Sequence, residues 1–185
     1  SPPLHSRTHN IQERQNPCFR SVNNLIFKNG KVADFAWAAQ KRGIIFDVGH
    51  GGGSFLFAQA VPAMDQGFKP NTISTDLHTG SMNGGMKDII NVMSKFVNMA
   101  MPVSEVITAT TWNAAKVIKR EDLGHLSVGA VADVTILNLR EDNFGFIDTK
   151  GKKMKGDKKL ECELTIREGK VVYDLNGLAA MEWDK

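Results

Sequence analysis

The sequence predicts an α/β protein in which parallel strand–helix units give way to a separate antiparallel layer. Over residues 24–120, short apolar strands alternate with helically spaced apolar residues, the order expected of parallel βα units. From Gly124 onward the period changes to strand-like runs linked by turns such as Glu168-Gly169.

Residues 1–23 carry almost no apolar periodicity and read as an irregular arm or the end of a truncated element. A helix is predicted over 31–42, because Val32, Phe35, Ala36 and Ala39 share one face and Gly43 stands just past the end. The apolar, β-branched run 44–48 predicts a strand covered on both faces. The turn Gly49-His50-Gly51-Gly52-Gly53 then leads to Ser54, a cap for a helix reaching about residue 67. Pro62 is expected to kink or split that helix. Residues 72–75 read as a second strand, ending at Asp76-Leu77-His78. Past a loop holding Gly80, Gly84 and Gly85, an amphipathic helix spans about 86–99 and another 103–110, with Pro102 at the first helical position. A last short helix begins at Asn113. The methionines at 86, 93, 99 and 101 fall at packing intervals and read as core. Strands are predicted over 132–139, 144–148, 160–166 and 170–173, with 180–185 as a tail. The lysines between 150 and 159 read as a solvated loop in preference to a polyanion site.

A complete (β/α)8 barrel needs about 250 residues. Residues 24–120 have room for two strand–helix units and a preceding helix, so a barrel here would be the last quarter of one. Residues 121–179 then form the antiparallel strands. The net charge of +3 does not mark a nucleic-acid partner. Cys18 and Cys162 stand too far apart to form a disulfide framework or a metal knuckle. No apolar run approaches the ~18–20 residues of a membrane span, and no signal peptide is visible. The expectation is a cytoplasmic protein without nucleic-acid or membrane partners. The chain begins at Ser1 and not at Met, so it reads as a piece of something longer.

Asp76 stands at the carboxyl end of a short strand, where α/β proteins bind ligands. A carboxylate there can ligate a metal and accept a proton from an activated water, or it can simply cap the following loop. His78 can hydrogen-bond a substrate carboxylate or carbonyl, or be an exposed loop histidine. Gly51, Gly52 and Gly53 let backbone N–H groups approach a ligand and set the His50 imidazole over it. The alternatives for that segment are a sharp structural turn, or a phosphate loop whose usual glycine spacings are absent.

Three further segments resemble the amidohydrolase superfamily. Gly124-His125-Leu126-Ser127-Val128-Gly129-Ala130-Val131-Ala132-Asp133 resembles the G-x-L-x-x-G-x-x-A-D signature where such a chain leaves its barrel. Ala109-Thr110-Thr111-Trp112-Asn113-Ala114-Ala115-Lys116 is similar to its A-T-x-N-P-A-K helix start, with Ala114 in place of proline. Leu164 to Val172 is similar to the closing V-x-x-x-G-K-V-V hairpin. Phe46 to Phe55 and Ser74 to His78 resemble the seventh and eighth barrel strands of the dihydroorotase-like amidohydrolase/deacetylase branch.

The resemblance implies the C-terminal part of a metal-dependent hydrolase (β/α)8 TIM barrel followed by strands of a small β-sandwich. It implies cleavage of an amide or ester bond in a small acylated or cyclic substrate by a metal-activated water. Asp76 matches the aspartate that ligates the metal and shuttles the proton. His50, Gly51, Gly52, Gly53 and His78 match substrate-pocket positions. The cofactor implied is a divalent metal, zinc first, as one or two ions whose other ligands lie outside this chain. The fragment is then expected to be inactive alone, and the intact protein to be a homo-oligomer acting on a small molecule. The alternative is a non-catalytic binding module that keeps the architecture without the metal site.

Overall fold

The computed structural model describes residues 15–17, 25–26 and 29–184. Apart from 15–17, the arm read over 1–23 lies outside the described residues, as do Cys18 and Lys185.

Three short parallel strands form the first sheet, in the order β1 (Gln15–Pro17), β2 (Ile45–Gly49), β3 (Thr72–Ser74). β1 falls within residues 1–23, read as an irregular arm or the end of a truncated element, and departs from the first of those alternatives. Three residues ending in proline carry no periodic signal, and an edge position is where a strand tolerates proline. β2 and β3 are parallel neighbours as predicted, with Asp47 opposite Thr72 and Gly49 opposite Ser74. Alternation in β2 buries Phe46 and Val48 in the core and turns Ile45, Asp47 and Gly49 to the other face.

The helices are α1 (Asp34–Lys41), α2 (Phe57–Asp65), α3 (Ile89–Val97), α4 (Val103–Thr110) and α5 (Trp112–Val117). Gly43 and Gly67 follow α1 and α2 at φ +88° and +83°, the left-handed closures that favour glycine. Pro62 does not split α2. The carbonyl it leaves without a helical partner belongs to exposed Ala58.

The second sheet is antiparallel, in the order β4 (Val134–Ile147), β5 (Lys153–Arg167), β6 (Lys170–Asp174). Residues read as two strands form the single irregular β4, and the lysine-rich stretch read as a loop is the start of β5. Met154 and Gly156 turn inward while Lys153, Lys155 and Asp157 face water. That alternation is weak in sequence because glycine takes one of the inward places.

The two sheets share one core. Phe146 and Leu160 of the hairpin join Val92, Met93 and Phe96 of α3, while Phe46, Phe68 and Ile73 come from the parallel part. β6 pairs only with Leu164 to Arg167, which leaves much of one β5 edge open. α3 covers it with side chains. Ser94 Oγ accepts from the Leu160 N–H at 2.9 Å, and Asn98 accepts from Asp157 and Lys158 N–H while donating to the Lys158 carbonyl.

Asp88 caps α3 by accepting from the Asn91 N–H at 2.7 Å. Asp88→Ala is therefore expected to cost about 1 kcal/mol. Urea unfolding of the full-length protein would show it as a lower midpoint at unchanged slope. An unmoved midpoint would mean that packing alone holds the helix end.

Candidate functional site

The carboxyl ends of β2 and β3 open on the same edge. Beyond β2 the chain turns through residues 50–54, and beyond β3 it runs through Thr75, Asp76, Leu77 and His78. The Gly51 N–H donates to the Thr75 carbonyl at 2.7 Å, binding one loop to the other. Gly51 sits at φ +46°, and a Cβ there would collide with Asp76 Oδ2 and lie 3.1 Å from Asp76 Cγ. Glycine is needed here twice over, for the dihedral and for the carboxylate pressed against it.

Asp76 adopts φ +50°, a left-handed conformation that aspartate tolerates better than most residues. It is exposed, and among the described residues its carboxylate accepts no hydrogen bond. Below it, Asp47 accepts from the Thr72 hydroxyl at 2.7 Å and the Ser74 hydroxyl at 2.6 Å.

His78 stands beside Gly52, whose added Cβ would lie 3.5 Å from Nε2. The Gly80 N–H donates to His78 Nδ1 at 3.2 Å, so in the neutral ring Nε2 carries the proton and is free to donate outward. The Ser81 hydroxyl accepts from the His78 N–H and donates to its carbonyl, each at 3.0 Å, pinning the loop.

His50 departs from expectation. The sequence sets its imidazole over a ligand; in the structure the ring is wholly buried and stacked on Phe55 at 4.6 Å between centroids. Nδ1–H donates to the Gly51 carbonyl at 3.0 Å, and Nε2 accepts from Lys95 Nζ at 2.7 Å. Both nitrogens are engaged behind the glycine turn. Gly51 is buried with them, its N–H and carbonyl both engaged, and the backbone of Gly52 and Gly53, not the imidazole, is exposed.

Sequence reading missed Lys95. The apolar pattern of Val92, Met93 and Phe96 marked α3 as amphipathic, yet this lysine lies on its buried side at 0% exposure. Its three N–H groups meet three acceptors: His50 Nε2, the Gly85 carbonyl at 2.6 Å and the Ile147 carbonyl at 2.8 Å. Burial pulls the Lys95 ammonium down to about 7, with Asp148 and Asp88 acting against it. Burial, and then the Lys95 charge, holds His50 down to about 4. Asp148, also buried and also missed, accepts from the Phe57, Lys150 and Lys152 N–H groups.

Among the described residues no three His, Cys, Asp or Glu side chains come together as a metal-binding group. Asp76 suits a divalent metal in kind, as an exposed hard oxygen donor, and supplies one ligand. A cavity of about 430 Å³ is lined by Asn71, Lys69 and Glu105, and another of about 680 Å³ lies between α3, α4 and the hairpin; Asp76 lines neither. Among the described residues no helix is long and apolar enough to cross a membrane.

A model of the Amidohydrolase family matches residues 72–173, more than half of the chain and inclusive of Asp76 and His78. A deacetylase of Brucella anthropi is 39% identical over 135 residues, covering 72% of this chain and 34% of its own length. A crystal structure of an adenine deaminase superposes with a TM-score of 0.80 at 28% identity, over 95% of this chain and 49% of that one. A dihydroorotase structure gives 0.66 at 32% identity, over 76% and 37%. The chain thus spans about a third of the curated deacetylase and about half of the deaminase. By the family match, and by the likeness in fold to enzymes of this kind, the chain belongs to the amidohydrolase family.

Proposed function

We propose that this chain is the carboxyl-terminal portion of a metal-dependent hydrolase that opens an amide or ester bond in a small acylated or cyclic substrate. The observation that carries the reading is Asp76: an exposed carboxylate at the carboxyl end of β3, held against Gly51 and without a hydrogen-bond partner of its own among the described residues. In this reading Asp76 is one metal ligand, the remaining ligands come from elsewhere in the full-length protein, and β4–β6 are the returning strands of its sandwich.

A bound divalent metal would supply Lewis-acid activation, lowering the pKa of its water toward neutrality. Asp76 takes the proton from the attacking water and returns it to the leaving amine or alcohol. The exposed backbone of Gly52 and Gly53 and the Nε2–H of His78 hold the acyl group and any carboxylate of the substrate, while Gly51, its N–H taken by Thr75 and its carbonyl by His50, fixes the turn behind them. His50 acts from behind the turn.

The test is hydrolysis by the full-length protein of a panel of N-acyl acids, O-acyl acids and cyclic amides. Activity lost on chelation and restored by a divalent ion is the expected result. Hydrolysis indifferent to chelation would overturn the metal assignment. Binding of these acids with no turnover would identify a binding module instead.

A further inference from the structure

We infer that Lys95 and His50 form a buried strut that positions the Gly51 turn against the Asp76 carboxylate, making Lys95 a positioning residue for hydrolysis. The inference rests on the role proposed above for Asp76. The path is continuous: Lys95 Nζ to His50 Nε2 at 2.7 Å, His50 Nδ1 to the Gly51 carbonyl at 3.0 Å, the Gly51 N–H to the Thr75 carbonyl at 2.7 Å, and Gly51 in contact with Asp76.

The chemistry has one direction. As an ammonium that spends its other two N–H groups on the Gly85 and Ile147 carbonyls, Lys95 can only donate to His50. Nε2 must then present its lone pair, which places the imidazole proton on Nδ1, where it donates to Gly51. Without Lys95 the ring is free to take the other tautomer. A lone pair on Nδ1 would then face the Gly51 carbonyl oxygen, and the turn would lose its support from below. Lys95 also joins the three segments around the site: the turn after β2 through His50, the loop after β3 through Gly85, and the end of β4 through Ile147. A group placed this way alters the position of Asp76 without touching substrate, and a displacement of about 1 Å can cost about 10²-fold in rate.

The experiment uses the full-length protein with Lys95→Met, His50→Leu, His50→Gln and the double variant Lys95→Met/His50→Leu. Lys95→Met and His50→Leu are each expected to lower kcat by about 10–10²-fold with KM little changed. The double variant should fall no further than either single one, because both break the same strut. His50→Gln, whose side-chain oxygen can accept from Lys95 near the place of Nε2, should recover most of the lost rate. If Lys95→Met does not fold, the contrast between His50→Leu and His50→Gln carries the same test.

Two readouts are independent of turnover. Side-chain ¹⁵N spectra should show His50 as the Nδ1–H tautomer, and amide exchange at Gly51 should quicken in His50→Leu. A rise in KM at unchanged kcat in His50→Leu would mean that the imidazole meets substrate and would overturn the strut, as would an Nε2–H tautomer in the parent protein. Should the parent hydrolyse nothing, the proposed function fails, and the tautomer and exchange data still decide the strut.

Discussion

Asp76→Asn is expected to lower kcat by about 10²–10⁴-fold in the full-length protein, the usual worth of a positioned acid–base group. The amide keeps the size of the side chain and one oxygen that can ligate. It cannot accept a proton and pass it on. Asp76 already holds a left-handed backbone beside Gly51, so the substitution leaves the local geometry in place. Metal content and KM should therefore change little while turnover collapses, the pattern of an interaction made only in the transition state. His78→Asn is expected to behave differently, raising KM more than it lowers kcat, because its outward Nε2–H serves to hold substrate. The measurement is kcat, KM and bound metal for both variants. Near-normal turnover in metal-loaded Asp76→Asn would show that the proton travels by another group.

Acid should destabilise the protein between pH 6.5 and about 4, by up to about 3 kcal/mol through His50 alone, taking 1.36 kcal/mol per unit. The unfolded imidazole binds its proton near 6.5, whereas the folded one resists until about 4, because the ring is buried and beside the Lys95 ammonium. Across that window the unfolded state holds more protons, so stability falls as pH falls. Lys95 acts with the same sign at higher pH. Its folded pKa lies near 7 against 10.5 unfolded, so stability rises with pH between those values. Urea unfolding at a series of pH values measures both limbs. His50→Gln should flatten the acid limb and leave the alkaline one, and an unchanged acid slope in that variant would refute the assignment.

Local residue choice made part of this molecule readable in advance. The run Ile44-Ile45-Phe46-Asp47-Val48 is short, β-branched and bounded by glycines, so it can hardly be anything but a buried strand, and it became β2. The strand end at Ser74-Thr75 placed Asp76 at the carboxyl edge of the sheet, and the structure shows Gly51 and Asp76 meeting there. The methionines at 86, 93, 99 and 101 are buried as their spacing implied.

What stayed hidden has a common cause. β1 exists because β2 offers a free edge to three residues with no pattern of their own. The lysine-rich start of β5 is a strand because β4 pairs with it and α3 fills the space under Gly156. His50 reads in sequence like a ligand contact because four glycines surround it, yet its ring turns inward to Phe55 and Lys95. Sequence alone settled β2, β3 and the helices between residues 34 and 117, and with them which sheet edge carries the carboxylate, since those follow from periodicity and turn chemistry within a few residues. Only the tertiary structure decided the fate of Lys95. Burying an ammonium is tolerable when acceptors meet it, and those acceptors, His50, Gly85 and Ile147, are brought to one point by segments as far as 52 residues from it along the chain.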